Sequence, residues 1–257
     1  MGSPTLQIEA RGITDVGQRR DHNEDAYLVD GALGLFIVAD GMGGHAGGGT
    51  ASRLAVDTIR ACVARVKAED PGRFGTGDPE DTRVPDLLRQ AVEEACRVIY
   101  ETAQSDSELA GMGTTSTAVL LDGRTAFVAH VGDSRCYLLR EGRIYQVSED
   151  HSLVNEQLKA GAISADEAKH SRFKNIITRS VGFEQSVVVD LMGLELQTGD
   201  GIVICCDGLS NLVDDPEILA IVDESPIDLA PGRLVALAND RGGDDNITAI
   251  VIRASEA

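Results

Sequence analysis

Four apolar runs in this chain have aspartate at one end: LFIVAD closes at Asp40, FVAHVGD reaches Asp133, IVICCD closes at Asp207, and GGDDN sets Asp244 and Asp245 just ahead of the run from Ile247 to Ile252. A single Asp-Gly after a strand is an ordinary turn. Four strand ends delivering carboxylates to one place are a different matter, because two unit charges 4 Å apart at an effective dielectric of 20 repel by about 4 kcal/mol. Only cations or protonation relieve that repulsion. The available donors are oxygens, with no paired His or Cys at metal spacing, so hard divalent ions such as Mg2+ or Mn2+ fit. Two such ions about 3.5 to 4 Å apart would make a bridging water nucleophilic at neutral pH and clamp a phosphoryl oxygen.

The glycine-rich stretch VADGMGGHAGG begins at Val38 and surrounds Asp40. A phosphate-cradling loop would need Lys after its last glycine, and none is supplied. The glycines instead let the backbone approach closely and leave a strand tightly, and Asp40 is the residue that matters. The segment RRDHNED, Arg19 to Asp25, adds guanidinium groups suited to bidentate capture of phosphate, directly ahead of Glu24 and Asp25. A cysteine-dependent phosphatase needs C-x5-R. The residues six beyond the five cysteines are Ala68, Thr102, Gly142, Asn211 and Leu212, which excludes it.

The 257 residues, 42% of them hydrophobic, suffice for one large domain. Lys and Arg number 23 against 42 Asp and Glu, and the net charge of -19 would repel nucleic acid and anionic lipid. Cys62, Cys96, Cys136, Cys205 and Cys206 are odd in number and lie in apolar runs, as small buried residues of a reducing compartment do. No apolar stretch is long enough to span a membrane, and the start MGSPTLQIEARG lacks a basic and then apolar leader, so a cytoplasmic protein is expected. His22, His130, His151 and His170 carry no spacing that demands ligation.

Elements must position these residues. Apolar residues at i, i+3 and i+4 predict helices over Thr50–Lys67 and Asp86–Thr102, each needing a sheet or helix to cover its stripe. Between them AEDPGRFGTGDPEDTRVP reads as a long exposed loop, mobile near 68–85. Strands are expected over Gln7–Thr14, Ala26–Asp30, Gly34–Ala39, Ser116–Leu121, Thr125–Val131, Cys136–Arg140, Arg143–Val147, Val187–Leu196, Gly201–Cys206 and Ile247–Ile252. The connectors DGR, REGR and LVDGALG are hairpin signals, so the sheets should be antiparallel. Helices return at Glu217–Val222 and Asp228–Leu237, while Ser152–Ser180 is polar and short-helical, a surface subdomain.

The strings RRDHNED, ADGMGGHAGG, GMGTTSTAVLL, HVGDSRCYLLREGRIYQVSEDHSLV, IITRSVG, CCDGLSNLV and GGDDNITAIVI occur in order over about Ile8 to Ile252. Their order and spacing resemble the metal-dependent type 2C serine/threonine protein phosphatases, and the chain is similar to a compact bacterial member.

The resemblance implies an α+β fold, a four-layer α-β-β-α sandwich of two antiparallel sheets flanked by helix pairs. It implies one catalytic domain, 1–257, with a flap near 152–180 beside the active site that sets substrate choice. By similarity Asp40 bridges two metals, the Gly41 carbonyl binds one, and Asp207 and Asp245 hold the other. Glu24 reaches the cluster through water, Asp25 orients a metal-bound water, and Asp133 with Asp207 takes a third, weaker ion. Arg20 grips the substrate phosphate. The implied reaction is hydrolysis of phosphoserine and phosphothreonine by metal-bound hydroxide without a covalent intermediate, using two or three Mn2+ or Mg2+ ions. The implied partners are phosphorylated proteins and a bacterial Ser/Thr kinase with its substrates, met by a monomer. His45 stands three residues beyond the place where some family members carry a general acid, and is read as structuring its loop. Cys206, where Ser is commoner, is read as a packed strand residue. The non-enzymatic alternative, a scaffold that binds phosphoproteins, would have lost metal carboxylates that are all present here.

Overall fold

The structure, a computed structural model, describes residues 6–43, 47–76, 78, 81–169 and 171–256. Alternation of side chains along a strand decides which neighbour each residue meets. In β3 (Leu35–Ala39), Leu35, Ile37 and Ala39 face one way and Phe36 and Val38 the other, and all five are buried, so both faces are covered. The same holds for β7 (Thr125–Val131) and β11 (Gly201–Cys205), whose residues are all buried. These strands read as continuous apolar runs because each is sandwiched.

One sheet has the order β10 (Asp190–Glu195), β7, β6 (Ser116–Asp122), β3, β2 (Ala26–Asp30), and the other β1 (Leu6–Asp15), β12 (Ile247–Glu256), β11, β8 (Arg135–Arg140), β9 (Arg143–Gln146). Every pairing within them is antiparallel. Phe36, Val38, Val119 and Val128 of the first sheet meet Cys136, Ile202, Ile204 and Ile250 of the second in a middle core. Helices α1 (Gly47–Glu69) and α2 (Arg83–Ser105) lay Ala55, Ile59, Leu88, Val92 and Ile99 on the outer face of the first sheet. On the second sheet the outer layer is α6 (Asp215–Glu224) and α7 (Ala230–Asp240), through Ile218, Val222, Leu234 and Val235. Three apolar layers between four structural layers make this the α-β-β-α sandwich that the resemblance implied. Among the described residues, no helix is long and apolar enough to cross a membrane.

The hairpin signals are borne out. REGR turns with Glu141 at φ 52° and Gly142 at φ 69°, the left-handed pair that a tight two-residue hairpin requires. Elsewhere the boundaries move. Helix α1 begins at Gly47 rather than Thr50, so part of the glycine run is helical, and its backbone lies against Gly41 and Glu24. The expected loop 68–85 is shorter and anchored: α1 runs to Glu69, Pro71–Arg73 forms one 3-10 turn, Phe74 packs on the α1/α2 core, and the Gly75 N–H donates to Asp122. Gly77, Pro79 and Glu80 of that loop, like His45 and His170, lie outside the described residues. The expected strand from Val187 starts only at Asp190, opposite His130, because β7 ends one residue later and turns away at Gly132, φ 112°. Not foreseen were the two-residue ribbon of β4 (Gly41–Met42) with β5 (Gly113–Thr114) and the single turn α5 (Asp207–Ser210). The segment 152–180 holds α3 (Leu153–Lys159) and α4 (Ala165–Lys169).

Because Leu88 is fully buried between α2 and the first sheet, Leu88→Ala should lower unfolding stability by about 2–5 kcal/mol, read from urea denaturation followed by circular dichroism.

Candidate metal centre

The carboxylates converge because β3 and β11 stand opposite each other across the middle core and end at the same edge. Asp40 follows β3 and is fixed through its backbone: its N–H donates to Thr115 Oγ1 (2.9 Å), and its carbonyl accepts from the Thr115 N–H (2.8 Å) and Thr114 Oγ1 (2.8 Å). Asp207 is the first residue of α5, Asp133 sits in the β7–β8 turn, Glu24 and Asp25 precede β2, and Asp245 precedes β12. A Cβ on Gly41 would lie 2.1 Å from the Gly48 carbonyl oxygen and 2.5 Å from that of Glu24. Only glycine lets these three backbones meet beside Asp40.

Burial and mutual repulsion then act on the acids. Burial raises the Asp40 carboxyl well above the usual range, with Asp25, Asp207, Asp133 and Asp245 adding to it. Burial pushes Asp133 up to about 8, Asp207 contributing, and Asp25 up to about 7 against the pull of Thr248. Asp207 is raised by burial and by the charge of Asp245, with the Asp40 carboxyl beside it pulling the other way. Glu24 is raised by burial, opposed by Arg20 and the backbone N–H groups of Gly48 and Gly49.

Ligating atoms of Asp25, Asp40 and Cys206 lie within 4.8 Å of one another. Three buried carboxylate oxygens, Glu24 Oε1, Asp25 Oδ1 and Asp133 Oδ1, have no hydrogen-bond partner among the described residues. Buried acceptors left unpaired are costly, and oxygen donors crowded together in this way suit hard divalent ions. The residues present therefore fit the metal that the sequence implied.

Arg20 reaches the cluster bonded to it: Nη2 lies 2.6 Å from Asp245 Oδ2, with half the side chain exposed. Arg19 points outward to Asp244 at 3.9 Å, both exposed. Cys206 packs between the sheets as expected, its Sγ accepting from the Thr248 N–H (3.0 Å) and donating to the Asn246 carbonyl (3.3 Å), and burial holds its thiol well above the usual range.

Sequence reasoning passed over the groups that hold the acids in place. Thr248 Oγ1 donates to Asp25 Oδ2 at 2.5 Å and accepts from Thr14 Oγ1 at 2.7 Å, while Asn23 Nδ2 donates to Thr14 (2.8 Å). Asn246, buried, accepts the Glu24 N–H and donates to the carbonyls of Val16 and His22, tying RRDHNED to the strand edge. His151 accepts the Gly132 N–H on Nδ1 (3.0 Å), and its backbone N–H donates to the Gly132 carbonyl, fixing the turn that carries Asp133. The signal was a polar residue on a strand buried on both faces, as Thr248 is, which costs free energy unless it has a partner.

The chain matches the protein phosphatase 2C family over residues 17–230. It is 36% identical to the serine/threonine phosphatase Stp of Listeria monocytogenes over 253 residues, 95% of each chain. Among solved structures, the serine/threonine phosphatase of S. agalactiae is similar at TM-score 0.85 and 38% identity, covering 96% of this chain and 99% of its own. The catalytic domain of the phosphatase PstP, solved in complex with two manganese ions, is similar at TM-score 0.84 and 33% identity, covering 98% and 100%. The sandwich, the acids gathered at one end and these likenesses agree: the chain belongs to the protein phosphatase 2C family of metal-dependent serine/threonine protein phosphatases.

Proposed function

We propose that the chain, acting as one catalytic unit over 1–257, hydrolyses phosphoserine and phosphothreonine in proteins at the cluster around Asp40. The supporting observation is the set of carboxylates converging on one point, three of them with a buried oxygen that has no partner among the described residues. Asp40 and the Gly41 carbonyl, with Asp207 and Asp245, would hold two Mn2+ or Mg2+ ions. Glu24 would contact them through water, and Asp133 with Asp207 would take a third. Ions bound there supply an acidified water and positive charge opposite a phosphoryl group.

The protein's own groups do the rest. Arg20 exchanges Asp245 for the substrate phosphate, a pairing its planar fork suits. Asp25, locked by Thr248, keeps Oδ1 free to accept a hydrogen bond from the attacking water and so aims it. Cys136, Cys205 and Cys206 are fully buried thiols raised far from reactivity, which disfavours a phosphocysteine intermediate on any of them. A monomer in the cytoplasm, working opposite a Ser/Thr kinase, with the 152–180 flap shaping substrate choice, completes this reading.

Asp207→Asn should reduce Mn2+-dependent phosphate release from a phosphothreonine peptide more than about a hundredfold, beyond what outer partners of a metal usually cost; undiminished turnover would refute the assignment. Thr248→Val should cost about 10- to 100-fold in kcat with Mn2+ affinity little changed, separable by calorimetric titration. Without metal, the fold binds more protons than the unfolded chain, whose carboxyls ionise near about 4, up to the values of about 7 and 8 at Asp25 and Asp133. Stability in a chelator should therefore fall as pH rises from about 4 to about 8. Differential scanning fluorimetry should show this slope in EDTA and its loss in saturating Mn2+; a flat profile in EDTA would contradict it.

A further inference from the structure

Near the acidic cluster lies a groove of about 500 Å3 whose wall is half apolar, from Met42, Ile177, Phe183, Val187 and Val188, and half polar, Arg179 and Glu184 among the polar residues. Two of its apolar side chains stand in solvent, Val188 70% exposed and Phe183 60%, above the half-buried Met42, Ile177 and Val187. Single exposed apolar residues are ordinary, whereas a contiguous set rimming a concave surface marks a contact site.

The frame that holds them out is fixed. Arg179 Nη1 donates to the Val188 carbonyl (3.2 Å) and to Asp190 Oδ1 (2.6 Å). The loop between is tied to α2, where Cys96 Sγ bonds the Glu184 carbonyl (3.2 Å) and accepts the Gly182 N–H (3.4 Å). A Cβ on Gly182, at φ 92°, would lie 2.1 Å from Ile99 Cγ2, so the loop is pressed onto that helix. Phe183 and Val188 therefore remain in solvent, with their surroundings already ordered, a saving for any ligand that covers them.

The backbone links the groove to the catalytic edge. Met42 is two residues beyond Asp40, and Thr114, whose hydroxyl donates to the Asp40 carbonyl, exchanges backbone bonds with Val181. Two extended residues span about 7 Å and four about 14 Å. The molecule that must lie across this edge is the phosphorylated polypeptide.

We propose that this groove is a specificity subsite that takes an apolar side chain of the phosphoprotein substrate, of Leu, Ile, Val or Phe size, two to four residues from the phosphorylated residue. This rests on the phosphatase reading of the Asp40 cluster. Arg20 and the carboxylates engage only the phosphate and its ester oxygen; Met42, Phe183 and Val188 read the neighbouring sequence. The flap at 152–180 contributes Ile177 and Arg179 to the wall, so the two surfaces act together.

The test uses the full chain with Mn2+ and phosphothreonine peptides that differ only in carrying Leu or Asp at each position from two to four on either side of the phosphothreonine. Expected is a kcat/KM at least about tenfold higher for Leu at one of these positions, carried by KM. Phe183→Ala and Val188→Asp should reduce that ratio to about twofold or less, with p-nitrophenyl phosphate turnover within about twofold of the parent chain. No Leu preference in the parent chain, or a preference that survives in both variants, would overturn the proposal. Failure of the parent chain to turn over p-nitrophenyl phosphate would instead strike the phosphatase reading itself.

Discussion

Like charges brought together in a dry place are the constraint on which this molecule is built. Asp25, Asp40, Asp133, Asp207 and Asp245 come from five separate parts of the chain, and burial and each other's charge push the carboxyls of Asp25, Asp40, Asp133 and Asp207 above the ordinary range. A fold pays for such a cluster elsewhere. Here the three apolar layers of the sandwich supply rigidity, and they do so at the end where strands stop and acids begin.

The cluster is also held by uncharged groups that would otherwise be anomalies in a buried strand edge. Thr248, Thr14 and Asn23 form a chain of hydroxyl and amide bonds ending on Asp25, and the Asn246 side chain satisfies three backbone groups, the Glu24 N–H and the Val16 and His22 carbonyls, while its own carbonyl accepts from the Cys206 thiol. Each donor spent on an orienting bond leaves the opposite carboxylate oxygen pointing inward, as at Asp25, where Oδ2 is bonded and Oδ1 is not. The geometry that suits cations is thus the geometry that is costly without them.

Much of this was legible in the residues. Continuous apolar runs such as LFIVA and IVIC, joined by hairpin signals, marked strands of both sheets, period 3.6 marked the long helix pair, and aspartates closing apolar runs pointed to the acidic cluster. The misses have physical causes. Helix α1 starts inside the glycine run because contact with Gly41 and Glu24 outweighs poor helix propensity, and Val187–Val189 is not strand because its neighbour β7 has already turned away. Arg20 was expected at a phosphate and is found on Asp245, the anion available without substrate. Thr248 and Asn246 escaped notice because a polar residue's importance depends on burial and partners, which spacing along the chain does not reveal.

Proton release on metal binding tests the central idea most directly. Calorimetric titration with Mn2+ at about pH 6, in buffers of different ionisation enthalpy, counts protons expelled as cations enter. If the acids around Asp40 hold protons in place of cations, binding releases at least about one proton per chain, and release falls when Asp40 is replaced by Asn. Binding with no net release in any buffer would contradict the account.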